Sequence, residues 1–477
     1  MANKYQSLAA FFALCALSGC QTPHQVRDAE FAQVSHAVHA SWQAPFPPDE
    51  VLNPVAHELA GPQSLETYIQ FALAQNPGIQ AARKRVDAAA MRVPQAASLK
   101  DPMLDVNGWP FFPNVPQTAS GRMQADVKVS QELPWRGKLQ ARAAAAEEEA
   151  NAARAQFAAA ELKVMEDVKR AYYELYFAQS AIRVTQQDRT ILAELVQVAN
   201  VRYQTGKASQ QDVLRLQAEV SNVDGELIRM GQMRSAVQAE MAQLLHISPE
   251  TPLAAVEELS PQQLPKDIDS LYRQAVALRP ELHAMLAEIE RGRRKVDAAR
   301  LEYFPDATFS FGWGPMTTSQ AIAPTADGID NLAVGINLNL PVYRAKLNAA
   351  VREAEATVVA SARQYDAAKD ETQRDVRRLF TQAKSQQEME ALLRESVIPK
   401  TRQALEVSVR GYQVGETEFA DLIANWRELL RYHISQLQLE SQLRQTLASL
   451  ERVIGGEVPL QREVDPEALP TPVPPPE

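Results

Sequence analysis

The stretch "LAVGINLNL" at residues 332–340 alternates large apolar side chains with small or polar ones. Leu332, Val334, Ile336, Leu338 and Leu340 fall on one side of an extended chain. Ala333, Gly335, Asn337 and Asn339 fall on the other. A period of two with unlike faces specifies a strand between two unlike surroundings. "MQADVKVSQ" (123–131) repeats the pattern, with Met123, Ala125, Val127 and Val129 against Gln124, Asp126, Lys128 and Ser130. "ATFSFGW" (307–313) sets Ala307, Phe309, Phe311 and Trp313 against Thr308, Ser310 and Gly312. A weaker fourth strand, near Met103 to Trp109, is assigned by its place in the repeat described below. "FPNVPQTASG" and "GPMTTSQAIAPTADGID", both rich in turn formers, lie between the paired strands.

Such strands belong either to a sheet with one wet face or to a membrane barrel with lipid-facing and lumen-facing sides. The N-terminus favours the second. Lys4 precedes the apolar run Leu8 to Leu17, and "LSGC" follows at 17–20. The run is too short to span a bilayer and reads as a secretory signal, residues 1–19. Its end resembles a bacterial lipobox, which makes Cys20 the acylated first residue of the mature chain. Gln21 after it resembles the pattern of lipoproteins sent to the outer membrane. Several acyl chains anchor firmly where one would not. Cys15 leaves with the signal, so no intrachain disulfide is expected.

Four strands cannot close around a lumen, and open strand edges are costly in hydrocarbon. Closure therefore needs several chains, with eight strands from two copies or twelve from three. Eight strands fill with their own side chains, whereas twelve begin to leave a lumen. A conduit thus favours three.

The chain also repeats itself at a spacing of roughly 205 residues, the mark of a duplicated domain. "ALAQNPGIQAARKRVDAAA" (72–90) answers "AVALRPELHAMLAEIERGRRKVDAAR" (275–300). "NGWPFFP" (107–113) answers "FGWGPM" (311–316), and "QELPWRGKLQARAAAAEEEA" (131–150) answers "NLNLPVYRAKLNAAVREAEA" (337–356). "VRYQTG" (201–206) answers "VRGYQVG" (409–415). Each half reads helix, strand, loop, strand, long helical hairpin, giving repeats over 63–258 and 259–456. They are flanked by an irregular arm (20–62) and a Pro-rich tail (457–477).

No proline interrupts the chain between Trp135 and Ser248, or from Val342 to Ile398. A helix from Leu139 to Gln204 is about 100 Å long and too polar for lipid, so it stands in water. Ile191, Leu195, Val198 and Arg202 form a heptad seam, as do Val213, Leu216, Val220, Val223 and Leu227. Ile423, Trp426, Leu430, His433 and Leu437 form another. The repeated phrases sit where the hairpins reverse. Gly206 and Gly415 suit the left-handed turn that ends a helix, with Ser209 or Thr417 as N-cap.

Aromatic residues are only 6% of the 477, which suits long helices in shallow contact more than a thick core. A net charge of −10 and no basic stripe exclude nucleic acid as a natural partner. The seven histidines are scattered. His36 and His39 share i, i+3 spacing in a segment read as irregular, and His433 lies on an apolar seam where packing is the plainer role. No nucleophile–base constellation, metal set or cofactor motif is present, so no enzyme is expected.

The ordered set of tip phrases, the "ELPWRGK" and "NLPVYRAK" junctions and the "ALAQNP" and "ALRPEL" openings resembles the TolC family of outer membrane channels. "KDPML" and the lipobox lean toward the lipoprotein branch resembling CusC and CzcC. The resemblance implies a mainly α protein with membrane β structure. It implies a homotrimer with a twelve-stranded barrel, continued by a twelve-helix periplasmic tunnel. It further implies docking to a membrane fusion (adaptor) protein and an inner-membrane pump of RND type. Such a conduit exports heavy-metal cations or drugs passively; protein secretion and a non-conducting coiled-coil anchor are the other readings.

The resemblance also implies tip residues. Tyr203 and Tyr412 would brace the turns, and Asp212 and Asp421, each six residues past a tip glycine, are candidates for a constriction. Thr417 stands where the best-known pattern has arginine, and Ala424 where it has a second aspartate, so the closing network must differ. Asp212 has an equal reading as a first-turn acid that favours the helix dipole.

Overall fold

In the computed structural model of the chain, the described residues are 53–109, 116–259, 264, 267–319 and 321–458, with scattered positions from 28 to 38. Cys15, Cys20, His36, His39 and nearly all of the expected tail lie outside them. The chain divides into two units, Met1–Val55 and Ala56–Glu477. In the first unit, the described residues at 31, 33–35 and 38 are helical. The expected irregular arm is therefore partly regular. Its end is regular too: Gly61–Pro62 (β1) pairs in parallel with Leu253–Ala254.

The elements follow in order: α1 Leu65–Gln75, α2 Pro77–Ala97, β2 Met103–Gly108, β3 Gln117–Thr118, β4 Gly121–Met123 and β5 Ala125–Leu133. Then come α3 Lys138–Gln204, α4 Gln210–Leu245, β6 Leu253–Ala254, α5 Ile268–Leu278, α6 Pro280–Leu301, β7 Ala307–Gly314, β8 Met316–Thr317 and β9 Asn331–Leu338. A last set is α7 Arg344–Leu392, a π-helical turn Leu393–Val397, α8 Ile398–Val414 and α9 Phe419–Ile454.

The opening helix of each repeat is broken in two. At Asn76 the side chain accepts from the Gly78 and Ile79 amides, and Pro77 starts α2. Arg279 and Pro280 mark the same break in the second half, where the Arg279 guanidinium donates to Thr372 at 2.7 Å. The second long limb differs from the first. Pro399 cannot donate to the ladder, and the π turn lies immediately before it.

The four alternating strands form one antiparallel sheet in the order β2-β5-β7-β9. Directly paired residues share a face, so the register tests the alternation. Val106, Val127, Trp313 and Leu332 stand in one row, and Leu104, Val129, Phe311 and Val334 in the next. Phe309 pairs with Ile336, with Gln131 completing that row as its one polar member. Asp105, Lys128, Gly312 and Ala333 make a row on the opposite face. Met123 falls outside the sheet: it ends β4, which joins β3 and β8 in a separate small sheet.

The long helices pack beside one another. α3, the longest at 67 residues, runs against α2, α4, α6 and α9. One core gathers Tyr68, Tyr172, Leu175, Met241 and Leu245. Its counterpart in the second repeat gathers Leu271, Val376, Leu379, Leu447 and Ile454. A third, in the hairpin ends, holds Leu195, Leu216, Tyr412, Ile423 and Trp426. On α3 the buried line is Leu192, Leu195 and Ala199. Ile191, expected on the seam, is exposed, because α3 faces α9 as well as α4 and its buried stripe turns one residue aside.

Strand passes to helix through one buried cation. Gly137, at φ +94°, turns the chain into α3. This aims the Lys138 amine at the Glu302 carboxylate (3.1 Å), the Phe304 carbonyl (3.1 Å) and the Asp306 carboxylate (2.9 Å). Asp306 also accepts from the Trp135 amide at 2.7 Å. The first β–α junction is thus locked to the second repeat. Lys138→Ala leaves Asp306 without its cation, and should destabilise the protein by about 3 kcal/mol. A lowered thermal unfolding midpoint checks this, with Lys138→Arg falling between the two.

Candidate functional site

The two hairpin turns differ in chemistry. In the first, Gly206 adopts φ +70° and the Lys207 amide returns to the Arg202 carbonyl at 2.8 Å. Ser209 then caps α4: its hydroxyl accepts from the Asp212 amide (3.2 Å), while the Asp212 carboxylate accepts from the Ser209 amide (3.4 Å). This reciprocal box ties two otherwise orphaned donors. In the second turn, Gly415 adopts φ +92°, and its amide and that of Glu416 both return to the Gly411 carbonyl at 2.8 Å. Thr417 is not the cap of α9. Glu418 occupies that position with no side-chain cap bond, because Thr417 lies against Gly411, where an added Cβ would meet its hydroxyl at 2.1 Å.

The tip residues separate in role. Tyr412 is buried against Phe419 and holds the Arg202 guanidinium over its ring at 4.7 Å. Burial, followed by the Asp212 charge, pushes its hydroxyl above 10.0, and Arg202 opposes them. Tyr203 is 45% exposed, and its carbonyl rather than its ring enters the turn by accepting from the Gly206 amide. Asp421 is exposed in the first turn of α9.

Toward the reversing ends, two ties join the hairpins, and neither was singled out as a site by motif or spacing; farther along, α3 and α9 are also tied by Lys169 to Glu451 and Arg452 to Glu166. Arg202 on α3 donates to the Tyr412 carbonyl at the end of α8, and to the Lys207 carbonyl at 2.9 Å. Farther from the turns, Arg427 on α9 makes a two-pronged bond to Glu219 on α4, at 2.8 and 2.6 Å. The signal for the second was weak: one acid and one base on unlike helices, 208 positions apart. Arg202 was visible only as a cation on an otherwise apolar seam. Among the described residues no group of three or more His, Cys, Asp or Glu is placed to hold a metal ion, and no helix is long and apolar enough to cross a membrane.

The family model described as outer membrane efflux protein matches residues 68–245 and 271–456. The chain belongs to that family. Each matched span takes in short helices, two strands of the four-stranded sheet and a long helical hairpin. The efflux protein is 24% identical over 404 residues to the cobalt-zinc-cadmium resistance protein CzcC of Cupriavidus metallidurans, covering 83% of this chain and 91% of that one. Its fold is that of the CusC channel structure, with a TM-score of 0.70 at 15% identity over 87% of this chain and 97% of the other. It is also that of the outer membrane protein VceC of Vibrio cholerae, at 0.69 and 21% identity over 83% and 96%. An outer membrane efflux protein is a passive channel, not an enzyme.

The Glu219–Arg427 tie carries a pH dependence. The Arg427 hydrogen bonds hold the Glu219 carboxyl below 4.5 against the opposing effect of burial. A depressed carboxyl stabilises the folded state above its unfolded value, and that contribution disappears as pH falls through the lower folded value. Glu219→Gln should therefore lower amide-exchange protection around 215–225 and 420–430 by about three- to tenfold at pH 7. The difference between variant and parent should shrink below pH 4.

Proposed function

We propose that three copies close a twelve-stranded barrel in the outer membrane and continue it as a twelve-helix periplasmic tunnel. The tunnel is a passive conduit fed by an adaptor protein and an inner-membrane pump of RND type. The observation that carries this reading is the sheet itself. Its apolar rows are solvent-exposed in the single chain, Val334 at 82% and Leu332 at 66%, and its outer strands β2 and β9 each pair on one side only. Lipid on the apolar face and further copies on the edges answer both features. Acylation of Cys20 would add an anchor. Likeness to a cobalt-zinc-cadmium resistance protein supports heavy-metal cations as cargo.

The hairpin ends are the proposed closure. Arg202 to Tyr412 and Arg427 to Glu219 both hold the first hairpin to the second, so opening must part them. Asp421, exposed at the second tip, is the proposed acidic ring. Asp212 contributes through the cap and through its charge beside Tyr412.

The two sheet faces give a direct test. Val334→Lys should abolish membrane assembly, a lipid-facing lysine costing about 2–4 kcal/mol at mid-membrane, whereas Asn337→Lys on the other face should assemble and shift ion selectivity in bilayer recordings. Equal effects of the two substitutions would contradict the assignment of faces. Asp421→Ala should weaken cation preference, read as a moved reversal potential; an unchanged potential removes Asp421 from the constriction.

A further inference from the structure

A cavity of about 590 Å³ opens between α3, α8 and α9, with Gln413 at the end nearer the second turn. Its apolar walls come from Val184 and Ile191 of α3, Leu405 and Val409 of α8, and Leu429 and Leu437 of α9, with Gln187, Gln413 and Gln436 among them. One buried acidic group interrupts them, the other acid of the lining, Glu406, being exposed. Asp188 is 6% exposed, and its carboxylate makes no hydrogen bond or ion pair among the described residues. We infer that this cavity binds a lipophilic organic ammonium ion, with Asp188 as the buried counter-charge.

An ordinary core position would be apolar, since a buried carboxylate without partners is unfavourable. Here burial raises the Asp188 carboxyl to about 6, and no neighbour lowers it. At pH 7.5 the group is therefore mostly ionised and unpaired. An ammonium supplies both the charge and the N–H donors that the protein withholds, while the walls take an apolar body. The volume suits a drug-sized molecule.

The surrounding charges leave Asp188 available. Its helical neighbour Arg189 is engaged by Asp224 of α4. On α8, Arg402, Glu406 and Arg410 stand at the exposed rim. On α9, His433 lines the cavity half-buried. Burial, and then the Arg402 charge, push its ring below 6.5, so it is neutral at pH 7.5. The two rim guanidiniums do not make an anion site, since both are exposed and neither is enclosed by the walls. This inference goes beyond the conduit reading and does not depend on it, because binding is measured without conduction.

The test uses the full-length protein in lipid nanodiscs and dansylcadaverine, a primary ammonium on an apolar fluorophore, with protein-free discs subtracted. The expected result at pH 7.5 is saturable binding, one per chain. The affinity should weaken at least tenfold in Asp188→Asn. In the wild type it should also weaken as pH falls from 7.5 to 5 and Asp188 takes up a proton. Asp188→Asn removes an unpaired buried charge and should fold. Should it not, Val409→Trp, which fills the cavity, and the wild-type pH series decide. No saturable binding, an unchanged affinity in folded Asp188→Asn, or equal binding of uncharged dansylamide overturns the proposal.

Discussion

A backbone N–H or C=O without a partner costs several kcal/mol inside hydrocarbon, and β2 and β9 each carry one such unpaired row. In a single chain those edges sit beside exposed Leu104, Val106, Val334 and Ile336, so nothing in the protomer itself satisfies both backbone and side chains. Closure through copies, as proposed, satisfies both. The rest of the molecule follows from it: a ring of protomers needs helices that also stand side by side, and two hairpins per chain supply them.

The helical part is held by thin seams instead of a thick core. Alanine-rich stretches let α3 run close to four other helices, and the large side chains are concentrated in three places. Two of these, around Tyr172 and around Leu447, support the short helices of each repeat. The third, around Trp426, lies toward the reversals. Between them the wall relies on individual polar bonds such as Lys138 with Asp306 and Arg427 with Glu219. The proposed opening would part the hairpin ends and leave the β–α junction at Lys138 intact.

Periodicity made most of this legible from the residues alone. The strand faces at 332–338 and 307–313 and the left-handed glycines at 206 and 415 follow from local rules that no tertiary contact overrides. What escaped was set by partners far away in sequence. Thr417 fits a cap by type, yet Gly411 leaves space that its side chain fills instead. Tyr203 and Tyr412 are equivalent in the repeat, but only Tyr412 meets Phe419 and the Arg202 guanidinium. The Glu219–Arg427 bond joins helices from different halves, and no spacing rule reaches across that interval. Asp188 was hidden for the same reason: its isolation depends on what α8 and α9 do not offer.

Disulfide trapping between sheet edges tests shared closure most directly. Asp105→Cys on β2 is combined in turn with Ala333→Cys, Gly335→Cys or Asn337→Cys on β9, all on the face opposite the apolar rows. At least one pair should oxidise between chains and give a covalent trimer in membranes. Monomers carrying only intrachain disulfides would mean that one copy closes its own sheet, and would contradict the account.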